Sequence, residues 1–196
     1  MLPHPGSNSQ GFKVLQVFDR DGDTWTNVPT IVNSACGGWT RLPDGRVGMF
    51  AGHYPTLQNK QLEGFTSVLL FDPSSSSLSR AGSLTTERWY PTALTLPSGE
   101  VYVPGGTQLQ MPNGVWLKAN GADIFSAAAN SVRQVPLNSK LHAAGLGNWY
   151  MGGLVLPSGQ VAVINKNIMQ VVNPYTGAAL ADVPRLPDRV KNLVWE

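Results

Sequence analysis

CGGWTRLPDGRVGMF (36–50), YPTALTLPSGEVYVPGG (90–106) and YMGGLVLPSGQVAVIN (150–165) are three versions of one phrase. Each runs from small or apolar residues into Leu-Pro-Asp/Ser-Gly and leaves it as an alternating stretch rich in valine. Proline presets φ at about −65° where a turn begins, and glycine accepts a positive φ where it ends, so the phrase predicts a tight hairpin. The turn glycines Gly45, Gly99 and Gly159 stand 54 and 60 residues apart. Nine residues before them stand Cys36, Tyr90 and Tyr150. The only cysteine of the chain and two tyrosines therefore share one position in the repeat.

A second repeated element alternates with the first: VLQVFDRDGDTWTNVP (14–29), SVLLFDPSSSSLSRAGSL (67–84), GADIFSAAANSVRQVPL (121–137) and IMQVVNPYTGAALADVPRLP (168–187). Each is an apolar strand, a polar turn and a less hydrophobic strand. Asp19, Asp72 and Asn173 stand where the first strand breaks, and short polar side chains there bond the backbone of the turn that follows. The two elements together supply four antiparallel strands. No stretch reads as a helix, the alanine run at 127–129 being too short.

A strand-and-turn repeat of this length predicts an all-β fold, a kelch-like β-propeller. The chain holds about three consecutive four-stranded blades, an incomplete part of a larger ring, so closure needs C-terminal blades or a partner chain. Residues 1–12 read as a flexible segment and 13–196 as the partial propeller domain. The strand before each turn, such as TALTL (92–96), is expected near the channel and buried on both faces. The stretches 53–66 and 107–120 read as loops on the propeller faces.

Composition sets bounds. Charged residues make up 13% and the formal net charge is +2, which gives no electrostatic footprint for nucleic acid. The 21 glycines and 15 prolines suit a turn-rich β protein. A lone cysteine excludes an internal disulfide. No apolar run is long enough for a membrane-spanning helix, and MLPHPGSNSQGF lacks the charged and apolar regions of a signal peptide.

Taken alone, Cys36 reads as a small buried hydrophobe, and Tyr90 and Tyr150 as packing aromatics whose hydroxyls find partners. Their shared register changes the reading. Equivalent positions on neighbouring blades converge at one mouth of the channel, where a thiol and a phenol can meet. Arg88 reads as a supporting charge beside Tyr90 or as a salt bridge at a blade edge. Trp39, Trp89 and Trp149 read as packing residues. His53, in FAGHY, reads as a loop residue, and His4, His53 and His142 form no local metal motif.

SACGGWTRLPDGRV and ERWYPTALTLPSGEVYVPGG resemble the glyoxal oxidase and galactose oxidase group of radical-copper oxidases. LGNWYMGGLVLPSGQVAVINKNIMQVVNPYTGAALADVPRLP resembles a further blade of the glyoxal oxidase branch. The likeness runs from about Val14 to Pro187. It implies that Cys36 matches the cysteine whose sulfur joins the ring of a copper-ligating tyrosine, and that Tyr90 matches that tyrosine. The thioether radical and copper together form a two-electron cofactor. Such an enzyme oxidises an aldehyde or primary alcohol with O2, gives hydrogen peroxide and works outside the cell. The family's other ligands, a tyrosine followed by a histidine and a second histidine, come from later blades, so this chain by itself is expected to be inactive. The alternative is a non-catalytic kelch-type propeller that binds a protein or a glycan.

Overall fold

In the computed structural model, residues 14–30, 34, 36–55, 62–111, 113–119, 121–136, 151–165 and 168–182 are described. All of their regular structure is β: β1 Val14–Asp19, β2 Thr24–Pro29, β3 Gly38–Arg41, β4 Val47–Phe50, β5 His53–Pro55, β6 Leu62–Asp72, β7 Ser77–Pro91, β8 Leu94–Thr95, β9 Val101–Gln110, β10 Trp116–Lys118, β11 Ala122–Ser126, β12 Ser131–Val135, β13 Gly152–Val155, β14 Val161–Asn165, β15 Ile168–Val172 and β16 Ala179–Asp182. Every pairing among them is antiparallel.

Three successive meanders emerge. The first is β3-β4-β6-β7, the second β8-β9-β11-β12 and the third β13-β14-β15-β16. A separate hairpin, β1-β2, precedes them. The meanders begin at equivalent hairpins, and the chemistry of each turn repeats. Leu42, Leu96 and Leu156 each donate their N–H to the residue four on, and accept from the turn glycine. Gly45, Gly99 and Gly159 have φ of 90°, 85° and 81°, which the absence of a Cβ permits. The Asp/Ser position also has a purpose: Asp44, Ser98 and Ser158 accept from the backbone N–H of Arg46, Glu100 and Gln160. The outer turns follow suit. Asp19, Asp72 and Asn173 accept from the backbone N–H two residues ahead, the Asx-turn expected of them.

The units are in contact in chain order. β3 touches β8, and β8 touches β13. Thr95 Oγ1 donates to the Arg41 carbonyl at 2.7 Å, Thr92 Oγ1 donates to the Met151 carbonyl, and the Tyr175 hydroxyl lies 2.9 Å from Ser98 Oγ. Two apolar cores lie between them. Phe50, Val68, Leu70, Val101, Val103 and Phe125 belong to the first; Leu96, Tyr102, Ile124, Met151, Val161 and Val163 belong to the second. Strand alternation makes this division: on β9, residues 101 and 103 face one core and residue 102 the other.

Two expectations are corrected here. The first strand of each meander is not buried on both faces, since Trp39 is 48% exposed and Leu154 63%. The doubly buried strand is the second, whose positions 101–107 on β9 are all buried. The stretches 53–66 and 107–120 are not simply loops. β5, the start of β6, the end of β7, the far half of β9 and β10 pair in a continuation of the sheet beyond the meanders. His53 opens β5 and is a strand residue. Tyr150, Trp149, His4 and His142, like residues 1–12, lie outside the described residues.

Candidate functional site

The backbones of Cys36 and Tyr90 meet. The Tyr90 N–H donates to the Cys36 carbonyl at 3.0 Å, joining the entry to β3 with the end of β7. Both residues are half-buried, and both adopt the left-handed conformation, with φ of 61° and 60°. For a residue as bulky as tyrosine that backbone is rare and costs of order 1–3 kcal/mol. Cys36 reaches it in a turn closed by the bond from the Gly37 N–H to the Ser34 carbonyl. A side chain at Gly38 would run into the Pro91 carbonyl at 2.9 Å, and one at Gly106 into Arg88 Cβ at 3.0 Å. Glycine at these two positions lets the backbones close in around the pair.

Tyr90 is held from several directions. The Trp89 ring stacks on its ring, with centroids 4.5 Å apart and planes at 24°. Trp89 opposes Thr107 and Pro91 opposes Gly105 across the β7–β9 pairing. Two residues earlier on β7, Arg88 is fully buried. Its Nε donates to Asp123 Oδ2 at 2.8 Å, its Nη1 to the Gly105 carbonyl at 2.6 Å and its Nη2 to the Gly121 carbonyl at 3.3 Å. Asp123 is equally buried, and its Oδ1 accepts from both the N–H and the hydroxyl of Thr85. Burial pushes the Arg88 guanidinium below its usual range, and the Asp123 charge opposes that shift.

This network ties β7, β9 and β11 together beside Tyr90. A buried pair of this kind contributes little net stability, but losing one partner costs about 3–5 kcal/mol. Arg88 is thus a salt-bridge residue, but a fully buried one that links three strands rather than one at an edge. Asp123 is the residue that sequence reading missed. The available signal was an acidic residue inside the apolar strand ADIF, where burial demands a cationic partner. Next to the network, Tyr102 is fully buried in the second core. Its hydroxyl has no hydrogen-bond partner among the described residues. Burial pushes its phenol above the usual range, with the Arg88 charge acting the other way.

The thiol-bearing and phenol-bearing residues are thus joined through their backbones. Among the described residues, no group of three or more His, Cys, Asp or Glu could hold a metal ion. No protein-family model matches the chain, and no curated protein matches it.

Proposed function

We propose that the chain is the N-terminal part of a glyoxal oxidase-like radical-copper oxidase, with its three meanders serving as consecutive blades of a kelch-like propeller. The observation that carries this reading is the bond from the Tyr90 N–H to the Cys36 carbonyl, made between two residues of left-handed backbone at equivalent places in the repeat. In this reading Cys36 Sγ joins the Tyr90 ring at the carbon beside the hydroxyl. One C–S bond forms, and two protons and two electrons leave, with O2 as the electron acceptor. Sulfur makes the ring electron-rich and lowers the cost of removing one further electron from it. Copper, when bound, supplies the complementary one-electron couple. Trp89 covers one face of the Tyr90 ring, and Arg88 with Asp123 keeps the supporting strands in register. The substrate is an aldehyde or a primary alcohol, consumed with O2 outside the cell, and the further ligands come from blades that complete the ring.

A propeller that only binds a protein or a glycan is the second reading. Exposed Trp39 and Leu154 on the first strands favour it, because exposed aromatic and apolar groups suit a sugar face or a peptide.

The covalent state of the pair separates the two. After aerobic exposure to copper, the ring completed by further blades should yield the Cys36 and Tyr90 peptides joined, lighter by two hydrogens. It should also produce peroxide from aldehydes or primary alcohols in a manner that needs both residues. The 196-residue chain alone should stay at background. Separate, full-mass peptides from the completed ring would remove the oxidase reading and leave the binding one.

A further inference from the structure

Consecutive residues of a strand point to opposite faces, so Trp89 and Tyr90 have no reason to touch. They stack because φ of 60° at Tyr90 breaks the alternation and brings both rings to one side. Trp89 also meets Trp116, with centroids 4.9 Å apart and planes at 46°. Trp116 stands on β10, so the two indoles meet across the intervening β9. Both separations fall in the range of favourable aromatic pairs, so the three π-systems are in van der Waals contact. Trp89 is buried at 7% exposure, whereas Trp116 is half-buried and reaches solvent. The rings therefore form a continuous path from Tyr90, itself half-buried, through buried Trp89 to Trp116.

We propose that Tyr90, Trp89 and Trp116 form an electron relay, through which a one-electron oxidant of the outer-sphere class acts on Tyr90 from a distance. The oxidant takes one electron at Trp116. Trp89 refills that vacancy and is refilled by Tyr90, which releases its phenolic proton to water and ends as a neutral phenoxyl radical. The oxidant gains one electron, Tyr90 loses one electron and one proton, and neither tryptophan changes. The relay's use rests on the reading of Tyr90 as a redox-active phenol, but its existence needs neither copper nor the thioether.

The test uses the full chain without metal, a tris(bipyridyl)ruthenium photosensitiser with a sacrificial electron acceptor, and a nitroso spin trap. Peptide mass spectrometry then counts adducts at Tyr90, with exposed Trp25 and Tyr175 as internal references. Trp116→Phe keeps an aromatic ring but removes an oxidisable one. It should lower trapping at Tyr90 severalfold and leave Trp25 and Tyr175 unchanged. Trp116→Tyr, again oxidisable, should restore much of it. Equal trapping at Tyr90 in the parent and in Trp116→Phe would overturn the relay, because the oxidant would then be reaching Tyr90 directly. An equal loss in both variants would also overturn it, since packing rather than redox activity would be responsible. Because the probe reads a phenol not joined to sulfur, its failure is distinct from a failure to find the thioether.

Discussion

Tyr102 is a phenol placed where water does not reach and where no described group bonds its hydroxyl. An unfolded tyrosine ionises near pH ~10. In the folded chain burial holds the phenol neutral to higher pH. Above pH ~10 the unfolded chain thus sheds a proton that the folded chain keeps, and stability falls as pH rises through that window. Tyr102→Phe removes this dependence. It also removes a buried hydroxyl that no described group bonds, so at neutral pH it should be neutral or stabilising by about 1 kcal/mol. Urea midpoints at pH 7 and pH 11 check both effects. A loss of more than about 1 kcal/mol at neutral pH would mean that the hydroxyl is bonded after all. The backbone approach of Cys36 to Tyr90 was legible at this scale. The register of Cys36 and Tyr90 came from counting back from the turn glycines, and their backbones do meet. What counting could not give was Asp123. Its partner Arg88 lies 35 residues away on another strand, and no local pattern links the two.

At the scale of elements, the hairpins were legible and the extensions were not. The turns announce themselves through Pro, Gly, Asp and Ser, and each bond they make is local. β5 and β10 are only three residues each, too short for alternation to show. β6 continues past register shifts near Phe65 and Val68, and β10 shifts between Leu117 and Lys118, so the period of two is broken where it would reveal the strand. The misplaced burial of the first strands has a related cause. TALTL is apolar, yet only Leu94–Thr95 form a strand, and the apolar alternation that fills two cores belongs to β9. Phe125 gives a measure of those cores. It is fully buried, and its ring meets the edge of Phe50 at 5.6 Å and 65°, so it holds the first unit against the second. Phe125→Ala should cost about 3–5 kcal/mol in denaturant unfolding. A cost below about 1 kcal/mol would show that this interface contributes little to folding.

Over the whole molecule, the described architecture is a row of antiparallel units that touch in sequence, each turn resting near its predecessor. A side chain at Gly99 would meet the Pro43 ring at 3.2 Å, and one at Gly159 would meet Pro97 at 3.9 Å. The units are not equally supported. β9 contributes to both apolar cores, whereas β1 and β2 form a two-stranded sheet of their own with Phe18 and Trp25 exposed. That inequality orders the molecule in time. Backbone amides exchange with deuterium only when their segment opens, and opening is hardest where a segment is loaded from both sides. The amides of Val101, Tyr102 and Val103 should be the last to take up deuterium, and those of the β1–β2 hairpin among the first. Uniform uptake along the chain would contradict this order. With it, the strand that follows the tyrosine stays closed while the leading hairpin opens and closes many times, so the geometry around Tyr90 is kept by its slowest neighbour.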